Sequence, residues 1–243
     1  MAIAIDASSP VGVHSATTVV ASASFTPVAN ATVVALATIG NTTTGTTFGT
    51  VTDSVGSVWT KVANVSAAIR PIVELWASDA GSSPAARTVT LTGSGTNGHS
   101  VSLVVLVLTG GNPAASILGA SAGSSGTTAG TVSITATTAN SYILVALHDI
   151  GGGALGAHTA NANTTTLDEY DDGFQDNLAL GRSTNLVPAG AITVGWTAPI
   201  VSTFSSIGAF EVLEKSLPDS DRLATWTDGT EETYTDGTQV TYV

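Results

Sequence analysis

The chain of 243 residues contains no cysteine. That excludes disulfide bridges and thiolate metal sites and leaves the redox compartment open. Basic residues are scarce: six Lys plus Arg stand against eighteen Asp plus Glu, for a formal net charge of −12. No cluster of cations is present to follow a phosphate backbone, so no nucleic-acid partner is expected. Long apolar runs are missing too. The longest, "VSLVVLVLTG" at 101–110, is too short to span a bilayer as a helix, and no membrane insertion is expected. The opening "MAIAIDASSPVGVH" has neither a basic start nor a long apolar core, so it does not read as a classical signal peptide. Charged residues make up only 10% of the chain. Long helices want Glu, Lys and Arg beside their alanines, and here those partners are lacking.

What remains is Gly, Ser, Thr, Ala and Val. Val and Thr suit pleated strands, and Gly, Asn and Asp suit the turns between them. The expected class is all-β: an antiparallel double-sheet sandwich, jelly-roll-like, with an internal duplication and a small C-terminal β-meander. Strands are expected near 17–25, 31–38, 57–64, 71–78, 86–92 and 100–109, then near 131–137, 141–148, 165–170, 177–184, 191–197 and 206–213. The continuous run at 101–109 reads as a strand buried on both faces, which favours one double-sheet body over two small sandwiches. That body takes residues 1–215, with 110–130 as the connector between halves.

The duplication carries the assignment of pseudo-repeats to about 17–110 and 131–214. "VVALATIG" (33–40) matches "LVALHDIG" (144–151) at an offset of 111, which also sets Trp59 on Tyr170. "TVTLT" (88–92) matches "TVGWT" (193–197) at 105, with Leu75 on Leu180 and "VVLVL" (104–108) on "AFEVL" (209–213). This bears on Gly151, Gly153 and Gly156, which stand at the G-x-G-x-x-G spacing of a dinucleotide fingerprint. The fingerprint needs a helix directly after it, and "AHTANANTTTLDEY" shows no helical periodicity. In the repeat these glycines fall in a strand-to-strand loop, and no cofactor is expected.

Residues 216–243 read differently. Pro218 and nearby charges break the apolar pattern, and "WTDGTEE" and "YTDGTQV" then form a short repeat whose Asp-Gly pairs signal hairpins. A three-stranded meander of this size cannot stand alone. Trp226, Tyr234, Val240 and Tyr242 therefore need a covering surface: the body itself, a second copy, or another protein.

Chemistry-bearing groups are few. "LDEYDDGFQD" offers Asp168, Asp171, Asp172 and Asp176 as a candidate Ca²⁺ cluster, with Glu169 among them, but its spacing is not that of an EF-hand. A solvated acidic loop is the simpler reading. His14, His99, His148 and His158 have no partner at metal-ligand spacing, and no G-x-S-x-G elbow supports a triad around His148-Asp149. Trp59 and Trp76 are candidates for stacking on sugars, though core packing is commoner for such residues. No catalytic constellation is present, and the chain does not read as an enzyme.

The stretches "VTDSVGSVWTKV", "VELWASDAGSSPAARTVTLTG" and "VSLVVLVLTGGNP" resemble the β-sandwich virion proteins of tailed phages infecting actinobacteria, minor-tail or tail-fibre-like. The residues concerned are Asp53, Gly56, Trp59, Leu75, Trp76, Ala77, Val89, Thr90, Thr109 and Gly110, and "GAFEVLE" (208–214) resembles the family's closing strand. The resemblance spans about residues 3–214. It implies a structural virion protein without catalytic residues, either tail-associated or decorating the head. It also implies a homo-oligomer, with a trimer favoured, in contact with other virion proteins. A surface module that binds host glycan is the reading from a different class.

Overall fold

A computed structural model describes residues 2–40, 49–66, 71–93, 100–125, 130–150, 157–173, 176–198, 204–215, 224–227 and 231–234. Every sheet is antiparallel, and the described residues contain one short 3₁₀ turn, Ala114–Ser116, and no α-helix. In the first half run β1 (Ala4–Ile5), β2 (Val13–Ser15), β3 (Val19–Ala21), β4 (Thr32–Ile39), β5 (Thr50–Asp53), β6 (Thr60–Ser66), β7 (Ile72–Asp79), β8 (Val89–Thr92) and β9 (Val101–Thr109). They form a large sheet ordered β1-β9-β4-β7-β6, with β2 also on β9, and a small one ordered β3-β8-β5. In the second half run β10 (Leu118–Ser125), β11 (Thr131–Ala136), β12 (Tyr142–Ile150), β13 (Thr159–Ala160), β14 (Thr164–Asp171), β15 (Asp176–Ser183), β16 (Gly190–Ala198) and β17 (Phe204–Val212). Their sheets are ordered β10-β17-β12-β15-β14 and β11-β16-β13. The two orders are the same pattern, with β10 taking the place of β1 and β2.

The halves stack as four layers, because the large sheets are apolar on both faces. Alternate residues of a strand point to opposite faces. On β4, Val33, Ala35, Ala37 and Ile39 pack with Val20, Val89 and Leu91 of their own small sheet. Val34 and Leu36 face the other way, onto Leu144, Ala146, Leu180 and Phe210 of the second half. The second half has its own inner core around Val145, Leu147, Val194, Trp196 and Ala209. The chain is thus two sandwiches set large sheet against large sheet, the alternative that the sequence favoured less than one double-sheet body. Every residue from Val101 to Leu108 is buried, as the unbroken apolar run predicts. Its cause is the second sandwich on one side and the small sheet on the other.

The repeat register differs from the sequence match by one residue in two places. Leu36 pairs with Leu75, and Ala146, not Leu147, pairs with Leu180. Asn30 and Asn140, each with positive φ just ahead of β4 and β12, mark the same offset of 110. The match at 111 sets Leu36, which faces the other half, on Leu147, which faces its own small sheet. On the closing strands, Leu106 and Phe210 share the central core, so the offset there is 104 and not 105. At β7/β15 and β8/β16 the offset of 105 places Leu75 with Leu180 and Val89 with Val194 in equivalent cores. Bulges at Val62 and Leu167 lie at that same spacing, so Trp59 and Tyr170 are not equivalent. Much of the connector's middle is strand: β10 pairs with β17 along the edge of the large sheet. β1, β2, β5, β10 and β13 were not expected, and all but β10 are four residues or shorter.

Candidate functional site

The C-terminal segment forms a hairpin of β18 (Ala224–Thr227) and β19 (Glu231–Tyr234), with Trp226 opposite Glu232 and Tyr234 opposite Ala224. This is a two-stranded sheet of its own and pairs with no other described strand. Three residues, the first Asp-Gly among them, separate the paired ends Thr227 and Glu231 in sequence and lie outside the described residues. The expected third strand, with Val240 and Tyr242, lies outside the described residues. The body's last described residues are pinned beside the foot of β10. The Leu213 amide donates to the Ile117 carbonyl at 2.8 Å, and the Lys215 amide to that of Gly110 at 2.6 Å.

The four aspartates of the candidate Ca²⁺ cluster do not converge. Asp168 Oδ2 accepts from Ser102 Oγ at 2.7 Å across the seam between halves, with His14 Nδ1 at 3.6 Å. Asp171 accepts from the Gly173 amide at 2.7 Å, and Asp172 from the Asp176 amide at 3.0 Å, closing the turn between β14 and β15. Asp176 reaches the other way, accepting from the Ser100 amide and lying 3.5 Å from His148 Nε2. Adjacent strand positions point to opposite faces, which is why residues crowded in sequence disperse here. Among the described residues no group of three His, Cys, Asp or Glu could hold a metal ion.

The histidines are dispersed as well. His148 is fully buried on the face toward the first half, and its nearest carboxylate is Asp176; Asp149 lies on the opposite face. His158 Nδ1 lies 2.8 Å from Glu169 Oε1, with the ring edge-on to Trp196. His14 is stacked on Tyr170 with ring centroids 4.1 Å apart. His99 and Gly151–Gly156 lie outside the described residues.

Both tryptophans singled out in the sequence are half-buried and tied inward. Asp53 Oδ1 accepts from the Val55 and Ser57 amides at 3.2 and 2.9 Å, while Oδ2 takes the Trp59 indole at 3.3 Å and buried Arg87 at 3.4 Å. Burial alone would raise the Asp53 pKa, but the hydrogen bonds from Ser57, Trp59 and Val55 outweigh it and hold the group below its ordinary value. The aspartate–turn–tryptophan motif is thus a staple between β5, its turn and β8. Trp76 donates to Glu74 at 2.9 Å, and Lys61 stands 3.5 Å from the same carboxylate and 5.7 Å over the indole ring. Burial of Glu74 pushes its pKa up despite those partners.

The densest polar constellation was missed from sequence. Glu211, fully buried on β17, accepts from the amides of Ala120, Thr137 and Thr138 at 2.8, 2.9 and 3.1 Å. The hydroxyls of Thr137 and Ser141 add bonds of 2.8 and 2.9 Å. Burial would raise its pKa, yet these bonds together hold it below the ordinary value. The only signal was a lone glutamate in the apolar run "GAFEVL"; its equivalent in the first half is Val107. The carboxylate ties β10, the turn before β12 and β17 into one unit.

The chain matches no family model, no curated protein and no solved structure. A surface cleft of about 440 Å³ opens at the seam, lined by Ile5, Pro10, Val11, Leu106, Leu167 and Arg182 among others. Asp6 and Arg182 are the charged residues of its lining. Among the described residues, Asp53, Asp171, Asp172, Asp176 and Glu211 accept bonds within turns, seams and strand ends. The hairpin is the feature that its own body leaves without a sheet.

Proposed function

We propose that this chain is a structural component of a tailed-phage virion, associated with the tail, and assembles as a homo-oligomer through its C-terminal segment. The observation that carries the reading is the separate β18–β19 sheet. An isolated two-stranded hairpin is marginal in water and gains stability by joining another sheet. A body of two apolar-cored sandwiches, with many polar side chains engaged in holding turns and seams, suits a structural role. The resemblance to minor tail proteins supplies the virion setting, and decoration of the head is the other location consistent with it. Glycan binding gains little support from Trp59 or Trp76, since both are half-buried and Lys61 stands over the Trp76 ring. Gold labelling of purified particles with an antibody to this chain tests the proposal. Label along the tail or at its tip is expected; label over the head would make it a decoration protein. A chain abundant in the lysate but absent from particles would refute the virion reading.

A further inference from the structure

The two large sheets present four edges, and three are guarded against pairing with another chain. β1 and β2 span only two and three residues, with Pro10 between them. β6 carries Lys61 and a bulge at Val62. β14 carries Asp168, Glu169 and Asp171 and a bulge at Leu167. Short strands, proline, bulges and charges are the devices that keep edges from aggregating. The fourth edge, β10, reads "LGASAGSS", without charge or proline. After a bulge at Gly119–Ala120, residues Ser121–Ser125 pair continuously with Phe210–Ser206 of β17. β10 is covered on its flanks: Ala120 and Ala122 pack on the inner core, and Gly123 lies directly against Val65 of β6. No described strand pairs with its outer row of N–H and C=O groups.

Building on the reading of the C-terminal segment as an assembly element, we propose that the edge Ser121–Ser125 accepts the β18–β19 hairpin of a second copy. The pairing extends the five-stranded sheet to seven strands. The lengths agree, since each hairpin strand spans four residues and the regular stretch of the edge spans five. Charge agrees as well. The chain is strongly acidic and the hairpin brings Glu231 and Glu232, so an uncharged edge repels it less than the acidic edge of β14. The partner is a second copy because the hairpin forms within the single chain yet pairs with none of its other described strands. Donor and acceptor on one chain make a head-to-tail contact, which closes into a ring when the rotation allows it.

The absence of cysteine makes the test clean. Full-length Ser121→Cys and Thr233→Cys chains, of different mass through a tag, are mixed and oxidised. Each carries one thiol, so every disulfide joins two chains. The expected result is a mixed dimer as the main cross-linked species. Predominant Ser121–Ser121 dimers, or efficient cross-linking only when Ser133→Cys on β11 replaces Ser121→Cys, would overturn the assignment of the acceptor. In parallel, sedimentation of full-length Ser121→Lys is expected to show loss of the oligomer, while Ser121→Thr keeps it. If deleting 216–243 abolishes the oligomer but no mixed disulfide forms, the edge is wrong and the assembly reading stands. If the deletion leaves the oligomer intact, both fail.

Discussion

Replacing Glu211 by glutamine is the sharpest test of how the second sandwich is held together. The carboxylate takes five donors, three of them backbone amides in the β10 bulge and the turn ahead of β12. Glutamine keeps the shape but offers one accepting oxygen, and its NH₂ must face donors that Oε2 now serves. A hydrogen bond to a charged group contributes about 1.5–3 kcal/mol, and a buried donor left unsatisfied costs about 1–3 kcal/mol. With two amides compromised and some relaxation, Glu211→Gln is expected to cost about 3–5 kcal/mol. Chemical denaturation gives the total, and amide hydrogen exchange gives the location. Exchange should accelerate across 118–148 and 204–212, while 32–39 and 101–109, where Val107 stands in the equivalent place, respond less. The pH dependence has a definite sign. Glu211 is held below its ordinary value of 4.5 in the folded protein. Its stabilisation is therefore complete above that value and is lost as pH falls through the folded pKa. The variant should lose less stability than the parent between about pH 5 and 3. A cost below about 1 kcal/mol, or an unchanged pH slope, would refute the account of this carboxylate as a clamp.

Asp53→Ala strands Arg87, which is 3% exposed, without its carboxylate, and is expected to destabilise the first sandwich by about 3–5 kcal/mol in urea unfolding. Phe210→Ala opens a cavity in the core shared by both halves and should cost about 3–5 kcal/mol, with exchange rising on both sides of the seam. Gly195 has φ +117, and an added Cβ would strike the Gly130 carbonyl. Gly195→Ala should therefore lower the melting temperature by several degrees, whereas Gly173→Ala, whose Cβ would meet nothing, should pay only for its φ of +74.

Sequence alone determined the class and most of the strands. β8 shows why: Val89 and Leu91 are buried while Thr92 is exposed, and that alternation placed "TVTLT" on "TVGWT" at the correct offset. The sequence also predicts no helix after the glycines at 151–156, and the described residues that follow form β13 and β14. The same reasoning slipped by one residue at β4, where all eight residues are buried. A strand apolar on both faces carries no alternation, so a register shift that exchanges its faces leaves no trace in the pattern. β1, β2, β5 and β13, of two to four residues, escaped notice because pairing partners, not propensity, hold them. Tertiary structure decided the rest. It stacked two sandwiches as four layers, sent the aspartates of one acidic stretch to separate partners, and gave the lone Glu211 its donors from segments some 70 to 90 positions away. It also set β10, a strand without charge or proline, at the edge of a large sheet. Local sequence sets which residues can be strands; only the packed molecule sets which faces meet.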